Sequence, residues 1–143
     1  IDSYDRDIFT VAEVGGPRPL EEMKAFTQGN NRLNSAYAFD FLYADALSAS
    51  LVRKTQAEWP GEPGEGWPSW AFENHDAPRA VSRWRGDCSP DRYSKLLALL
   101  LTALRGNAFV YYGGELGLTQ GEIAHVKARA AGFMLKNGGA GTM

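Results

Sequence analysis

Short apolar, β-branched runs alternate along the chain with longer stretches whose apolar residues recur every three to four positions. Phe9 to Val14, "FTVAEV", is the first such run, and Gly15-Gly16-Pro17 stops it, which predicts a buried strand over 9–14. Pro19 to Gln28 predicts a short helix, with Pro19 in its first turn and Glu21 and Glu22 at the positive end of the helix dipole. "SAYAFDFL", residues 35–42, predicts a second strand, in which Tyr37, Phe39 and Phe41 alternate as core residues do. Residues 44–59 set Leu47, Leu51, Val52 and Trp59 among charges, the pattern of an amphipathic helix. "PGEPGEGWP", residues 60–68, reads as a loop, and 69–74 as a third strand. Ser89 as N-cap and Pro90 at the first helical position open a helix that Gly106 ends. Its nearly unbroken apolar run from 96 to 104 predicts burial against a large surface. A fourth strand is expected at 108–112, closed by Gly113-Gly114, and a last helix at 120–136.

Strands that alternate with helices in this way predict an α/β fold with a parallel sheet, and parallel sheets carry their sites at the C-terminal ends of the strands. Glu13 closes the first predicted strand, Asp40 falls near the end of the second, and His75 with Asp76 follows the third. Tyr111, Tyr112 and Glu115 surround the glycine pair after the fourth. Carboxylates on separate strands, with His75, Arg79 and Arg83 close by in sequence, are the parts of an acid/base site that handles a developing cation. A strand-end acid is more often a helix cap or ion-pair partner than a catalytic group, and the residues alone leave both roles open. Trp59, Trp67, Trp70 and Trp84 offer indole faces on which a pyranose stacks, though packing is the commoner use of tryptophan.

Composition narrows the field. With 143 residues, 44% hydrophobic and 22% charged, the chain suits one domain with a real core. A net charge of −2 and a pI near 5.7 supply no basic field for nucleic acid or an anionic membrane surface. One cysteine, Cys88, excludes an internal disulfide, and its polar surroundings predict an inert loop thiol. No basic-then-apolar leader opens the chain and no apolar run reaches membrane-spanning length, so a cytoplasmic location is expected. The first residue is not Met and charged residues follow at once, as in a piece cut from a longer chain. Neither a Gly-x-Gly-x-x-Gly nor a Gly-Lys-Ser/Thr loop follows any strand, and no His, Cys, Asp and Glu cluster has metal-ligand spacing. No cofactor and no metal are expected.

Three motifs go further. "AFENHDAPRAVSRW", 71–84, resembles the Asn-His-Asp-x-Pro-Arg stretch of glycoside hydrolase family 13, the α-amylase family, in its α-glucosidase and oligo-1,6-glucosidase branch. "FTVAEVGG", 9–16, resembles that family's fifth-strand motif, and "LLLTALRGNAFVYYGGELGL", 99–118, the segment through its eighth strand. The resemblance implies that residues 1–121 are half of a (β/α)8 barrel, strands five to eight, followed by a divergent tail at 122–143, helical and then disordered. It implies Glu13 as general acid/base and Asp76 as the carboxylate that supports an oxocarbenium-like transition state. His75 would bind the same sugar, Arg79 would lie at the rim, and the substrate would be an α-glucoside or oligosaccharide.

Departures from the family pattern matter as much. Gly113-Gly114-Glu115 has lost one Glu of the usual Gly-Glu-Glu. The family's nucleophile, an Asp in a Gly-Phe-Arg-x-Asp motif, is absent; Asp2 lies too near Glu13 for a crossover of about a dozen residues to separate their strands. The chain is therefore expected to be inactive by itself, and to pair with the missing N-terminal half-barrel or with a second copy of itself. The contrasting expectation is a catalytically inactive, self-associating half-barrel with a binding or structural role.

Overall fold

A computed structural model describes residues 4–15 and 17–121. The helix expected at 120–136 and the tail at 122–143 fall almost wholly outside the described residues. Four strands, β1 (Val11–Glu13), β2 (Ser35–Ala38), β3 (Pro68–Ala71) and β4 (Asn107–Phe109), form one sheet in the order β1-β2-β3-β4. All three pairings are parallel, with Glu13 opposite Tyr37, Tyr37 opposite Ser69, and Ala71 opposite Phe109. Helices α1 (Pro19–Thr27), α2 (Ala49–Glu58), α3 (Ala80–Trp84) and α4 (Pro90–Ala103) connect them. The expected parallel α/β architecture is the one observed.

The strands are shorter than their apolar runs. β2 ends at Ala38 because the chain turns there, Tyr43 N–H donating to the Phe39 carbonyl at 3.1 Å, so that Phe41 and Leu42 are buried beyond the strand. α2 starts at Ala49, five residues later than its periodicity suggested, where the Ser48 hydroxyl accepts from Leu51 N–H at 3.1 Å. Ser89 stands at the N-cap of α4 as expected, with Pro90 behind it, but its side chain makes no capping bond. α4 buries Leu97 and Leu101 on one stripe and leaves Leu96 and Leu99 exposed, so its apolar run is only half covered.

Side chains alternate between two faces of the sheet. Ala36, Ala38 and Trp70 join Met23, Phe41, Trp59, Phe72, Trp84, Leu97 and Leu101 in the main core under the helices. Trp59, Trp70 and Trp84 thus pack internally, while Trp67 stays partly exposed. The opposite face is thinner: Leu42, Ala71 and Ala77 are buried there, with Tyr37, Phe39 and Phe109 packed against them. Deeper along that face, the Ser35 and Ser69 hydroxyls bond each other, and Asn107 Nδ2 donates to them at 3.3 and 3.1 Å.

Gly106 turns α4 into β4 at φ +137°, a conformation few side chains adopt. A Cβ there would lie 2.6 Å from the Pro68 carbonyl oxygen and 2.8 Å from Trp70 Nε1. Trp70 Nε1 itself donates to the Arg105 carbonyl at 2.7 Å, locking β3 to the start of β4.

Candidate active site

The C-terminal ends of the strands collect the candidate residues. Glu13 is the last residue of β1 and is exposed. His75 and Asp76 follow β3 and are open to solvent, at 66% and 63% of side-chain area, with His75 Nε2 3.3 Å from Asp76 Oδ2. Asp40 lies in the turn after β2. The loop carrying Asp76 is shaped by Asn74, whose Oδ1 accepts from the backbone N–H groups of Asp76 at 2.9 Å and Ala77 at 2.8 Å. That side-chain turn aims the chain outward.

Tyr37 joins the two halves of the site. It pairs in register with Glu13, and its ring is held between Phe39 and Phe109, at 5.4 and 5.8 Å between centroids. Its phenol is pushed up to about 12, first by burial and then by hydrogen bonding to the Glu13 carboxylate; Asn74 pulls the other way, and the charges of Glu13 and Asp76 both add to the rise. Glu13, at the end of β1, and Asp76, on the loop after β3, thus lie on either side of β2 and Tyr37. Alternation along β2 marked Tyr37 as a core residue, and no local signal distinguishes a core tyrosine from one whose hydroxyl meets a carboxylate.

Arg79 lines a cavity of about 320 Å³ with Asn74, His75, Asp76, Tyr111 and Tyr112. Its side chain is only 12% exposed and is engaged by the protein. Nη1 donates to Glu73 Oε1 at 2.9 Å and to the Tyr112 carbonyl at 2.7 Å, and the guanidinium lies 4.7 Å from the Tyr111 ring centroid and 5.1 Å from that of Tyr112. Glu73, 8% exposed, also accepts from Ala80 N–H at 2.6 Å through Oε2. It thereby caps α3, a five-residue helix that sequence periodicity does not reveal, seven residues downstream of itself. Arg83 is partly buried over Trp84 and donates to the carbonyls of Phe41, Ala44 and Phe72, so burial lowers its pKa and its charge serves the fold.

Gly114 packs directly against the Glu73 carboxylate of this ion pair. A Cβ at Gly114 would lie 2.8 Å from Glu73 Oε1 and 3.0 Å from the Tyr111 carbonyl oxygen. The space that a side chain at 114 would enter is filled by the carboxylate of Glu73, which supplies the charge opposite Arg79. Among the described residues, no group of three His, Cys, Asp or Glu side chains is placed to hold a metal ion, and no helix is long and apolar enough to cross a membrane.

A parallel α/β sheet with acids, a histidine and aromatics beyond the C-terminal strand ends has the layout in which α/β enzymes carry their sites. The chain belongs to the α-amylase family: residues 1–137 match the alpha amylase catalytic domain. It is 42% identical over 118 residues to a probable alpha-glucosidase of Rhizobium meliloti (strain 1021), covering 81% of this chain and 21% of that protein. It is 34% identical over 126 residues to the oligo-1,6-glucosidase of Parageobacillus thermoglucosidasius, covering 79% and 22%. The crystal structure of the alpha-glucosyl transfer enzyme XgtA superposes with a TM-score of 0.72 at 35% identity, over 80% of this chain and 21% of that one. The chain spans about a fifth of the length of the curated relatives it matches.

Proposed function

We propose that β1 to β4 are strands five to eight of a (β/α)8 barrel, and that the chain carries the general acid/base, Glu13, and the transition-state-stabilising carboxylate, Asp76, of an enzyme acting on α-glucosidic bonds. The observation that carries this reading is that Glu13 ends β1 while His75 and Asp76 follow β3, so that both carboxylates stand at the C-terminal end of one parallel sheet. Two carboxylates there suit a retaining mechanism, in which one group protonates the leaving oxygen and later activates water while anionic neighbours support an oxocarbenium-like centre. His75, open beside Asp76, is assigned to the same sugar. Arg79 lines the cleft, where its ion pair with Glu73 holds the wall formed by Tyr111 and Tyr112.

The nucleophile of this mechanism is assigned to strands outside these 143 residues, so turnover is expected only where those strands are present. Among the described residues β1 and β4 each pair on one side only, and Phe9, just before β1, and Val11, its first residue, are exposed. A complementary half-barrel would cover those edges and bring the nucleophile. A second copy would cover the edges without it and give an inactive assembly, the alternative reading. The test is turnover of p-nitrophenyl α-glucoside by the chain alone, and mixed with a fragment carrying strands one to four of an α-glucosidase relative, with products separated into free glucose and transfer oligosaccharides. Activity only in the mixture, lost in Glu13→Gln and in Asp76→Asn, is expected. Turnover by the chain alone, or a mixture indifferent to Glu13→Gln, refutes the proposal.

A further inference from the structure

We propose that Tyr37 is a positioning residue, donating its hydroxyl proton to the Glu13 carboxylate and accepting from Asn74 Nδ2, so that one phenol sets the acid/base group against the turn that presents Asp76. The inference rests on the reading of Glu13 as acid/base and adds the group that orients it. Three observations support it. Glu13 and Tyr37 are register partners on neighbouring parallel strands, and their side chains share the face opposite the helices. The Tyr37 ring has little freedom, wedged between Phe39 and Phe109 and lining a small cavity of about 170 Å³ with Asn74 and Tyr111. Asn74 spends Oδ1 on the backbone of Asp76 and Ala77, which fixes its amide and leaves Nδ2 buried without a hydrogen-bond partner.

A buried amide N–H left unsatisfied is costly, so Nδ2 has reason to close on the phenol oxygen of Tyr37, which lines the same small cavity. A phenol that accepts from an amide becomes a better donor in turn, since hydrogen bonds in a chain polarise one another. The arrangement makes the orientation of Glu13 depend on that of the Asp76 turn. Tyr37 needs no contact with substrate for this.

NMR of the chain with ¹³C-labelled tyrosine and glutamate tests the idea without any turnover. At neutral pH, Tyr37→Phe is expected to shift both the Glu13 Cδ resonance and the Asn74 side-chain amide, whereas Tyr43→Phe, which alters an exposed ring against Phe39, shifts neither. In an alkaline titration of the labelled phenols, Glu13→Gln is expected to bring the Tyr37 midpoint down from about 12, short of the usual 10 because burial remains, and Asp76→Asn to bring it down less. A tyrosine that merely packs would leave the Glu13 and Asn74 resonances in place in Tyr37→Phe, and its midpoint would ignore Glu13→Gln; either result overturns the proposal. Both readouts are blind to catalysis. A Tyr37–Glu13 contact that holds while the complemented enzyme ignores Glu13→Gln would leave this inference standing and remove the functional reading instead.

Discussion

Replacing Glu73 by Gln removes one charge from the best-enclosed ion pair of the site and leaves the side chain almost unchanged in size. The carboxylate now serves two donors, Arg79 Nη1 at 2.9 Å through Oε1 and Ala80 N–H at 2.6 Å through Oε2. A glutamine has one oxygen. If that oxygen keeps Ala80, its NH₂ faces the guanidinium, donor against donor; if it turns to Arg79, the first N–H of α3 is left buried and unpaired. Losing a charge-assisted bond and stranding a buried donor or cation costs about 3–5 kcal/mol when nothing else holds the orphan. Arg79 keeps the Tyr112 carbonyl at 2.7 Å and its stacking on two tyrosine rings, so the expected loss is smaller, about 2–3 kcal/mol. Urea unfolding followed by tryptophan fluorescence reads this directly, because Trp84 closes α3. With a slope of about 1–3 kcal/mol per molar urea, the midpoint falls by about 0.7–3 M at unchanged slope. A midpoint that moves by less than about 0.3 M, well inside the range expected for an exposed pair, refutes the claim that this ion pair organises the cleft wall.

Gly114→Ala should destabilise the chain by about 1–3 kcal/mol, through overpacking against Glu73 Oε1 and the Tyr111 carbonyl. The same substitution in a Glu73→Ala background should cost less, and a double-mutant cycle with no coupling would disprove the contact. Gly106→Ala combines a φ of +137° with a 2.6 Å approach to the Pro68 carbonyl, so circular dichroism of the purified variant should show a lowered melting temperature, and an unchanged one contradicts the packing described. Because the Tyr37 pKa is raised in the folded state, its contribution to stability is complete below pH 10 and is lost as pH rises from the usual 10 towards about 12. Denaturation midpoints across that window should fall less steeply in Tyr37→Phe, and parallel curves would refute the linkage. In the complemented enzyme, Glu13→Gln and Asp76→Asn should each lower kcat/KM by about a thousandfold or more, measured with p-nitrophenyl α-glucoside; losses below tenfold for either residue contradict its assigned role.

Periodicity and punctuation by themselves determined the order of strands and helices, the parallel sheet they imply, and the place of Glu13, His75 and Asp76 at or beyond strand ends. Those features follow from the alternation of side chains along β1 to β4 and from breakers such as Pro60, Gly106 and the Gly113-Gly114 pair, all of which act within a few residues. The tertiary structure alone decided where β2 stops, because burial of Phe41 under the helices and of Leu42 on the opposite face competes with continued pairing. It alone decided that α3 exists, since a five-residue helix is too short to hold itself and depends on the Glu73 carboxylate. Glu73 went unremarked in the sequence beside the Asn-His-Asp motif, and Tyr37 passed for a core residue. Their roles arise from partners remote along the chain: Arg79 bridges from Glu73 to the Tyr112 carbonyl thirty-three residues away, and Tyr37 pairs in register with Glu13 on β1 and shares a small cavity with Asn74, which follows β3. Local pattern specifies which face a side chain takes; which group it meets there depends on how separate strands are brought side by side, and that is settled only when the core has packed.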